Sequence, residues 1–248
     1  MVFDLIIRNG TVIDGTGSAG FSADVAIKGD SIVTVGEVAE NAEAAREVDA
    51  AGKVVTPGFI DLHTHSDNSF LVDPLADSKL TQGVTFELMG NCGMSYCAPL
   101  NEQTIDEFKS RTDKFDPEYQ PGWSTMDGYL SALEENGSTI NIAAQVGHGT
   151  VRRTVMGMEP RMPTPEEIDQ MQGIFADSLD EGALGMSTGL WYAPGSYSLA
   201  DEVIALTQPA ADRGKLYSSH IRSEADALGG LFPAHAEAIE VGRRTGTR

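Results

Sequence analysis

Two histidines separated by one residue are the first residues in the sequence that could do chemistry. His63 and His65 follow the apolar segment 58–62, whose composition predicts a short buried strand. Residues two apart along a strand point to the same face, so both imidazoles can reach a single metal ion. The alternative is a solvated loop with two unrelated histidines, and the pair by itself does not decide between them.

Three more potential ligands also follow predicted strands. Cys92, His148 and His220 each come directly after an apolar run. A thiolate can bind one or two zinc ions, although a small buried hydrophobe is the commoner role of a free cysteine. Any one of these residues alone would be interpreted as structural. Four histidines and one cysteine at the ends of four strands predict a metal site.

The remaining histidine and cysteine are assigned no chemistry. His235 lies in a helical stretch after Pro233, where it is predicted to be a surface or packing residue. Cys97 follows no strand end and is predicted to be a small buried side chain. Cys92 and Cys97 lack the Cys-x-x-Cys spacing of oxidoreductases, and two cysteines cannot make a disulfide framework.

Alternating strands and helices place these residues. From residue 57 onward, short apolar runs alternate with helical patterns, which is typical of βα units around a parallel sheet. The strands are predicted at 58–62, 84–89, 140–146, 183–187 and 215–219. The active sites of (β/α)8 barrels lie at the carboxyl ends of the strands, where the potential ligands are found.

Two helices carry clear signals. Thr164-Pro165-Glu166-Glu167 predicts an N-cap followed by a proline in the first turn and a capping-box glutamate, with the helix ending before Gly182. A second helix is predicted from about Ser198 to Gly214, with a kink or an early break at Pro209.

The first 56 residues follow a different pattern of short strands and turns. Asn9-Gly10 and Gly29-Asp30 are predicted to be turns, and Ala51-Gly52 is predicted to join one more short pairing. We therefore predict that residues 1–56 are the N-terminal part of a small all-β sandwich domain. Residues 57–248 are predicted to be the first five βα units of an α/β fold, an incomplete (β/α)8 (TIM-type) barrel, because a whole barrel typically needs about 250 residues.

The overall charge argues against polyanionic partners. The 248 residues include 37 Asp plus Glu and 17 Lys plus Arg, which gives a formal net charge of −20. Nucleic acids and anionic membranes would be repelled. No apolar run approaches the roughly 20 residues of a membrane helix, and the first residues lack signal-peptide features. A cytoplasmic protein with no nucleic-acid or membrane partner is predicted.

Five sequence strings, in order, carry a family resemblance. Pro57-Gly58-Phe59-Ile60-Asp61-Leu62-His63-Thr64-His65 resembles the first-strand motif of the amidohydrolase superfamily. The N-acyl-D-amino-acid deacylase (D-aminoacylase) branch of that superfamily is resembled by Gly90-Asn91-Cys92-Gly93, Val146-Gly147-His148-Gly149-Thr150-Val151-Arg152, Gly189-Leu190-Trp191-Tyr192-Ala193-Pro194-Gly195 and His220-Ile221-Arg222-Ser223-Glu224. The resemblance covers essentially the whole chain and implies that the incomplete (β/α)8 barrel is a metal-dependent hydrolase barrel.

The resemblance implies a zinc site. It implies that His63 and His65 bind one zinc position, that Cys92 bridges two positions, and that His220 binds the tightly held ion, with one or two ions in total. Members of the family also use a histidine of the sixth strand and an aspartate of the eighth, and neither position exists in these 248 residues. The isolated chain is therefore expected to be inactive.

The resemblance also implies the substrate and the reaction. Hydroxide formed at zinc would attack the amide of a small-molecule N-acylated D-amino acid and release a carboxylate and the free amino acid. His148 or Tyr192 would stabilise the oxyanion, and Arg222 would pair with the substrate carboxylate. Ordinary loop packing for Tyr192 and a surface ion pair for Arg222 are equally compatible with the sequence.

Two alternatives stay open. Hydantoinase- or dihydroorotase-like cyclic amidases usually bridge their metals with a carbamylated lysine of the fourth strand, and the segment 183–187 contains no lysine. A non-catalytic metal-binding module is the second alternative, since ligands alone do not establish catalysis.

Overall fold

A computed structural model describes residues 2–96, 98–112, 117–226 and 229–247. The chain divides into two compact units, Met1–Gly58 and Phe59–Arg248. The strands are β1 Phe3–Val12, β2 Phe21–Lys28, β3 Ser31–Gly36, β4 Ala44–Asp49, β5 Val54–Val55, β6 Phe59–Asp61, β7 Val84–Met89, β8 Asn141–Gly147, β9 Gly185–Gly189 and β10 Leu216–His220. The α-helices are α1 Ser69–Val72, α2 Asp77–Leu80, α3 Ile105–Thr112, α4 Met126–Asn136, α5 His148–Met156, α6 Pro165–Asp180, α7 Ala200–Asp212 and α8 Leu231–Thr245, with a 3-10 turn at Gly195–Tyr197.

The first unit is built on one mixed sheet. Its described strands lie in the order β3-β2-β1-β4, and β5 also pairs with β1. The hairpins β1–β2 and β2–β3 are antiparallel, whereas β4 and β5 both run parallel to β1. Ile6, Ala26 and Val38 form its small buried core.

The turn predicted at Asn9-Gly10 is wrong. β1 passes through both residues as a single strand, and its register against β2 shifts between Ile7 and Gly10. Asn9 adopts a left-handed φ of 62°, which asparagine tolerates better than most residues. Its backbone N–H donates to Asp24 at 2.9 Å. The signal therefore marks a bulge rather than a reversal of the chain.

The short pairing predicted around Ala51-Gly52 is also wrong. β4 and β5 do not pair with each other, because each bonds to a different part of β1 in parallel register. Ala50 donates to the carbonyl of Arg8 and accepts from the N–H of Lys53. These bonds lead the chain along β1 instead of back along β4.

The second unit contains the parallel sheet that the alternating pattern predicts. The described strands lie in the order β10-β9-β8-β7-β6, and every neighbouring pair is parallel. The carboxyl ends of all five strands therefore meet at one edge. Apolar side chains of strands and helices, including Met89, Val146, Phe175 and Met186, are fully or almost fully buried between them.

Helix α6 begins as its sequence indicates. The hydroxyl of Thr164 accepts from the backbone N–H of Glu167, and the Glu167 carboxylate accepts from the backbone N–H of Thr164. These two bonds satisfy donors that a helix start otherwise leaves unpaired.

Helix α7 does not end early at Pro209. It runs from Ala200 to Asp212 with Pro209 inside. Proline lacks the N–H that would bond the carbonyl of Ala205. That carbonyl instead accepts from Nε2 of Gln172, on α6, at 2.8 Å. A side chain of the neighbouring helix thus replaces the missing backbone donor.

Among the described helices, none combines the length and the apolar composition required to cross a bilayer.

Candidate metal centre

The potential ligands lie where the parallel strands end. His63 and His65 follow β6, Cys92 follows β7, and His220 is the last residue of β10. His148 begins α5, directly after β8. These positions agree with the expected edge of the sheet, and the side-chain geometry decides which residues meet.

His63, His65 and Cys92 come together. One potential ligand atom from each lies within 4.8 Å of the others. Cys92 Sγ is 3.2 Å from His63 Nε2 and 3.5 Å from His220 Nδ1. The thiol therefore lies between two imidazoles contributed by opposite edges of the sheet.

This donor set fits zinc. Zinc binds thiolate sulfur at about 2.3 Å and imidazole nitrogen at about 2.0–2.1 Å in a tetrahedral arrangement, so two such ligands of one ion lie about 3.5 Å apart. The two sulfur–nitrogen distances at Cys92 are 3.2 and 3.5 Å. Thiolate with imidazole is also the combination that zinc prefers.

Backbone geometry holds Cys92 in place. Cys92 has a φ of +56°, and its neighbours Gly90 and Gly93 have φ values of +72° and +71°. A side chain at Gly90 would overlap the carbonyl oxygen of Gln145, and one at Gly189 would overlap the carbonyl oxygen of Cys92. Gly90 and Gly189 are therefore required because neighbouring backbones approach closely at both positions.

Asn91 fastens the same loop to the strands on both sides. Its Nδ2 donates to the carbonyl of Leu88 at 2.8 Å and to that of Thr64 at 3.3 Å. Its Oδ1 accepts from Nε2 of Gln145 at 3.2 Å. Through Thr64, the segment between the two histidines is bonded to the loop that carries the thiol.

Asp67 and Ser187 complete these supports, and sequence reasoning assigned neither a role. Asp67 Oδ1 accepts from the N–H of Gly90 at 3.0 Å. Ser187 Oγ accepts from the N–H of Gly93 at 3.0 Å and donates to the carbonyl of Gly90. Asp67 lies two residues after His65, which is the one signal that could have indicated it.

The ion pair between Asp61 and Lys79 positions the backbone of His63. Its backbone N–H donates to Asp61 Oδ1 at 3.2 Å, and Asp61 Oδ2 accepts from Lys79 Nζ at 2.9 Å. Lys79 Nζ is also 2.9 Å from Glu87, which is fully buried in β7. The hydrogen bond from Lys79 holds the pKa of Asp61 below its ordinary value.

The electrostatics of the cluster favour a bound cation. Burial raises the pKa of the Cys92 thiol, and the carboxylates of Glu224 and Asp67 raise it further. Partial burial and the neighbouring His63 lower the pKa of His65, which favours the neutral imidazole that binds metals. Burial raises the pKa of Asp67 to about 7.

Tyr192 lies beside the cluster. Its ring is 4.7 Å from that of His220 in an edge-to-face arrangement. It also lines a cavity that Cys92 borders. Burial raises the pKa of Tyr192, so its hydroxyl keeps its proton and can donate a hydrogen bond.

His148 does not join the described cluster. Its side chain is completely buried, and Nε2 lies 3.1 Å from Glu202 Oε1. The same oxygen accepts from Arg152 Nε at 3.0 Å. Glu202 lies 54 residues away on α7, so the sequence offered no signal for this pairing. The role predicted for His148 in oxyanion stabilisation stays a prediction.

Arg222 is held by a carboxylate of the protein. Nε and Nη2 donate to the two oxygens of Glu237 at 2.9 and 2.8 Å. Nη1 donates to the carbonyl of Ser196 and Nη2 to that of Ser198. Among the described residues, the second Nη1 hydrogen has no acceptor, and pairing with a substrate carboxylate likewise stays a prediction.

His235 and Cys97 need only brief mention. His235 is exposed, and its Nδ1 lies 3.0 Å from the carbonyl of Leu231 in the preceding turn of α8. Cys97 lies outside the described residues.

With this geometry established, sequence comparison identifies the class of protein. Residues 46–218 match the sequence profile of a family described as "Amidohydrolase family". The chain is a member of this family. It is 41% identical to the N-acyl-D-glutamate deacylase of Alcaligenes xylosoxydans xylosoxydans over 244 residues, which cover 98% of this chain and 48% of that protein.

Solved structures agree with the sequence comparison. A D-aminoacylase with a binuclear metal centre is 38% identical, with a TM-score of 0.88 over 99% of this chain and 50% of its own. The N-acyl-D-glutamate deacylase of Bordetella bronchiseptica, in complex with zinc and a phosphonate mimic of the tetrahedral intermediate, is 37% identical with a TM-score of 0.86. The match covers all of this chain and 50% of the deacylase chain. The chain therefore spans about half the length of the relatives it matches.

Proposed function

We propose that the protein hydrolyses the amide bond of N-acyl-D-amino acids with the help of zinc. The observation that supports this most directly is the meeting of two imidazoles and a thiol at the carboxyl ends of β6 and β7. The relatives named as D-amino-acid deacylases add to it, because they match nearly the whole chain at 36–41% identity.

The proposed metal ligands are His63, His65, Cys92 and His220. A zinc ion bound by them supplies Lewis-acid polarisation of the amide carbonyl and lowers the pKa of water. Cys92 has His63 on one side and His220 on the other, so its sulfur is the ligand that could serve one or two ions. The loop bonds from Asn91, Asp67 and Ser187 keep that sulfur between the imidazoles.

Tyr192 is our first candidate for the donor to the developing oxyanion, because its ring lies against that of His220 and its hydroxyl keeps its proton. His148, the second candidate, is completely buried, so direct contact with substrate would require its side chain to become accessible. Arg222 is proposed to bind the substrate carboxylate through its remaining Nη1 hydrogen, next to Glu237. Arg222 cannot make a bidentate contact with the substrate carboxylate while Glu237 occupies its Nε–Nη2 edge.

The proposal extends to the architecture. We infer that residues 57–248 contribute the first five βα units of a (β/α)8 barrel and that residues 1–56 belong to a small β-sandwich domain. Hydrolysis is proposed for the complete barrel, acting on a small N-acylated amino acid in the cytoplasm, with no nucleic-acid or membrane partner.

The test is enantiomer-resolved hydrolysis by the zinc-loaded full-length protein. Release of free amine is measured from N-acetyl-D- and N-acetyl-L-amino acids and from a cyclic imide. We expect the D compounds to be hydrolysed and the L compounds to be left largely intact. Faster turnover of the cyclic imide would instead support a hydantoinase-like amidase. Zinc binding without turnover of any compound would support a non-catalytic metal-binding module.

A further inference from the structure

The imidazole of His220 has different neighbours at its two nitrogens. Nδ1 is 3.5 Å from the sulfur of Cys92, whereas Nε2 is 3.5 Å from Oε1 of Glu224. The ring of Tyr192 packs beside the imidazole, with the ring centroids 4.7 Å apart. Nδ1 is therefore the nitrogen on the side of the proposed metal ligands, and Nε2 is the nitrogen on the side of a carboxylate.

The loop that carries Glu224 is fixed on both sides of this residue. Ser223 Oγ donates to the carbonyl of Ala225 at 2.8 Å and accepts from the backbone N–H of Ala225 at 3.3 Å. Arg222, one residue earlier, is bonded through Nε and Nη2 to the carboxylate of Glu237. The backbone at Glu224 is therefore held next to the end of the strand that provides His220.

The negative charge of Glu224 acts on the neighbouring groups of the site. Burial is the main cause that raises the pKa of the Cys92 thiol and of the Tyr192 hydroxyl, and Glu224 raises both further. In the described ranges, His220 is the only ion-pair partner of Glu224. A carboxylate at this place favours a bound cation, and it offers an acceptor to the imidazole nitrogen that a metal would leave unused.

A histidine that binds a metal through one nitrogen carries a hydrogen on the other. This second nitrogen almost always donates to a carboxylate, a carbonyl or a water, and the bond fixes both the tautomer and the ring orientation. The distance of 3.5 Å between Nε2 and Glu224 exceeds the usual range of about 2.7–3.2 Å. Because the Glu224 side chain is 69% exposed, rotation of that side chain can close the difference.

We propose that Glu224 is a positioning residue, which accepts the Nε2 hydrogen of His220 and thereby presents Nδ1 to zinc. The inference rests on the zinc site of the proposed function and adds a residue that acts on this site through a ligand. The alternative is an ordinary exposed ion pair between residues four apart. Such a pair would leave the zinc affinity unchanged, so the two interpretations predict different measurements.

The experiment measures the zinc dissociation constant of the full-length protein by competition with a chelator. We expect Glu224→Ala to raise this constant by about 10- to 100-fold, the usual effect of removing a hydrogen-bond partner of a metal-binding histidine. Glu224→Gln should raise it less, because the amide oxygen of glutamine still accepts a hydrogen bond. Partial rescue by glutamine would separate the hydrogen bond from the charge.

Asp226→Ala is the matched control for the charge. Asp226 lies in the same loop as Glu224, is exposed and has no ion-pair partner in the described part of the chain. This variant therefore removes one negative charge near the site without removing a contact to His220. Its zinc dissociation constant should equal that of the wild-type protein.

The outcomes separate this inference from the proposed function. Wild-type zinc affinity in Glu224→Ala would overturn the inference and leave the proposed function intact. Equal weakening in Glu224→Ala and Glu224→Gln, or in Glu224→Ala and Asp226→Ala, would show that charge alone acts and would also overturn it. A protein that binds zinc but hydrolyses no substrate would contradict the proposed function, and the binding measurement would still decide the role of Glu224. A wild-type protein that binds no zinc would contradict both.

Discussion

At the scale of single residues, the proposed zinc site depends on the protonation of one thiol. Burial and two nearby carboxylates raise the pKa of Cys92, so the thiol resists ionisation until a cation is present. Sulfur binds zinc as the thiolate, and binding therefore releases a proton. The zinc affinity of the protein should therefore depend strongly on Cys92.

Replacing Cys92 by alanine is expected to remove most of the zinc from the full-length protein. The physical reason is that the Cys92 sulfur lies 3.2 and 3.5 Å from two of the proposed imidazole ligands. Zinc per protein is measured by elemental analysis after exhaustive dialysis. Cys97→Ala is the matched control and should keep its zinc. Equal zinc in Cys92→Ala and wild type would exclude Cys92 from the site.

A second residue-scale prediction concerns the buried charge of Glu202. Its Oε1 accepts from both His148 and Arg152, and all three side chains are buried. Removing one partner of a buried ion pair typically costs about 3–5 kcal/mol, because it leaves the other charge uncompensated. Glu202→Gln should therefore lower the free energy of unfolding by several kcal/mol, measured by urea denaturation.

The neighbouring residue provides the control for Glu202. Asp201 pairs with Arg244, but its side chain is 83% exposed, and exposed pairs contribute about 0–1 kcal/mol. Asp201→Asn should change the unfolding free energy little. Similar losses in both variants would show that burial of the Glu202 network has no special effect.

At the scale of elements, the start of α6 predicts a specific pH dependence. Glu167 pairs with Arg161 and closes the capping box with Thr164. The hydrogen bond from Arg161 is the main cause that lowers its pKa from 4.5 to about 2. A carboxylate whose pKa is lower in the folded state stabilises the protein above its unfolded pKa, and this contribution is lost as pH falls toward the folded value.

Glu167→Gln should therefore lower the melting temperature at pH 7. The difference from wild type should shrink between about pH 4.5 and pH 2, as Glu167 is protonated in wild type. Thermal unfolding is followed by circular dichroism across this range. Glu166→Gln, one residue earlier in the same turn, is the control, since the described residues provide no ion-pair partner for it. A difference that stays constant with pH would contradict the assignment.

A second prediction at the scale of elements compares alanine substitutions at two glycines, Gly173 and Gly189. Gly173 lies exposed inside α6, with open space where a Cβ would be. Gly173→Ala should stabilise the protein by about 0.5–1 kcal/mol, because alanine has the higher helix propensity. At Gly189 an added Cβ would overlap the carbonyl of Cys92. Gly189→Ala should be strongly destabilising in the same urea measurement, and equal effects at the two sites would contradict this interpretation.

At the scale of the whole molecule, the parallel sheet is open at both sides in the described chain. β6 and β10 each have one strand neighbour in that sheet. Phe59, Ile60 and Leu62, in and next to β6, are all more than half exposed. Unpaired strand edges with apolar side chains invite association with other chains. The matched relatives are about twice as long as this chain.

We therefore expect residues 1–248 alone to show little or no hydrolysis. We infer from the family resemblance that an aspartate of the eighth barrel strand takes the proton of the attacking water, and general acid–base help is worth typically about 10²–10⁴-fold in rate. Deacylation per bound zinc is measured for the 248-residue chain and the full-length protein side by side. Comparable rates per zinc would refute the role inferred for that aspartate.

The sequence by itself determined the order of strands and helices in the second unit and the strand-end positions of His63, His65, Cys92 and His220, because these depend on local periodicity and on the parallel direction of βα strands. Only the tertiary structure decided which side chains meet. His148 follows a strand like the others, yet α7 supplies Glu202, which holds it in the interior. The sequence left open whether Arg222 pairs with substrate or with an acid of the protein, and in the structure Glu237 of α8 occupies its Nε–Nη2 edge. Pro209 predicted a kink or break in α7, but Gln172 donates to the carbonyl of Ala205 that lacks its backbone donor. Asn9-Gly10 predicted a turn, but Asp24 accepts from the backbone N–H of Asn9 within a continuous strand. Each of these partners is at least 15 residues distant along the chain. Local sequence patterns carry no information about such distant contacts, which are set by how the elements pack.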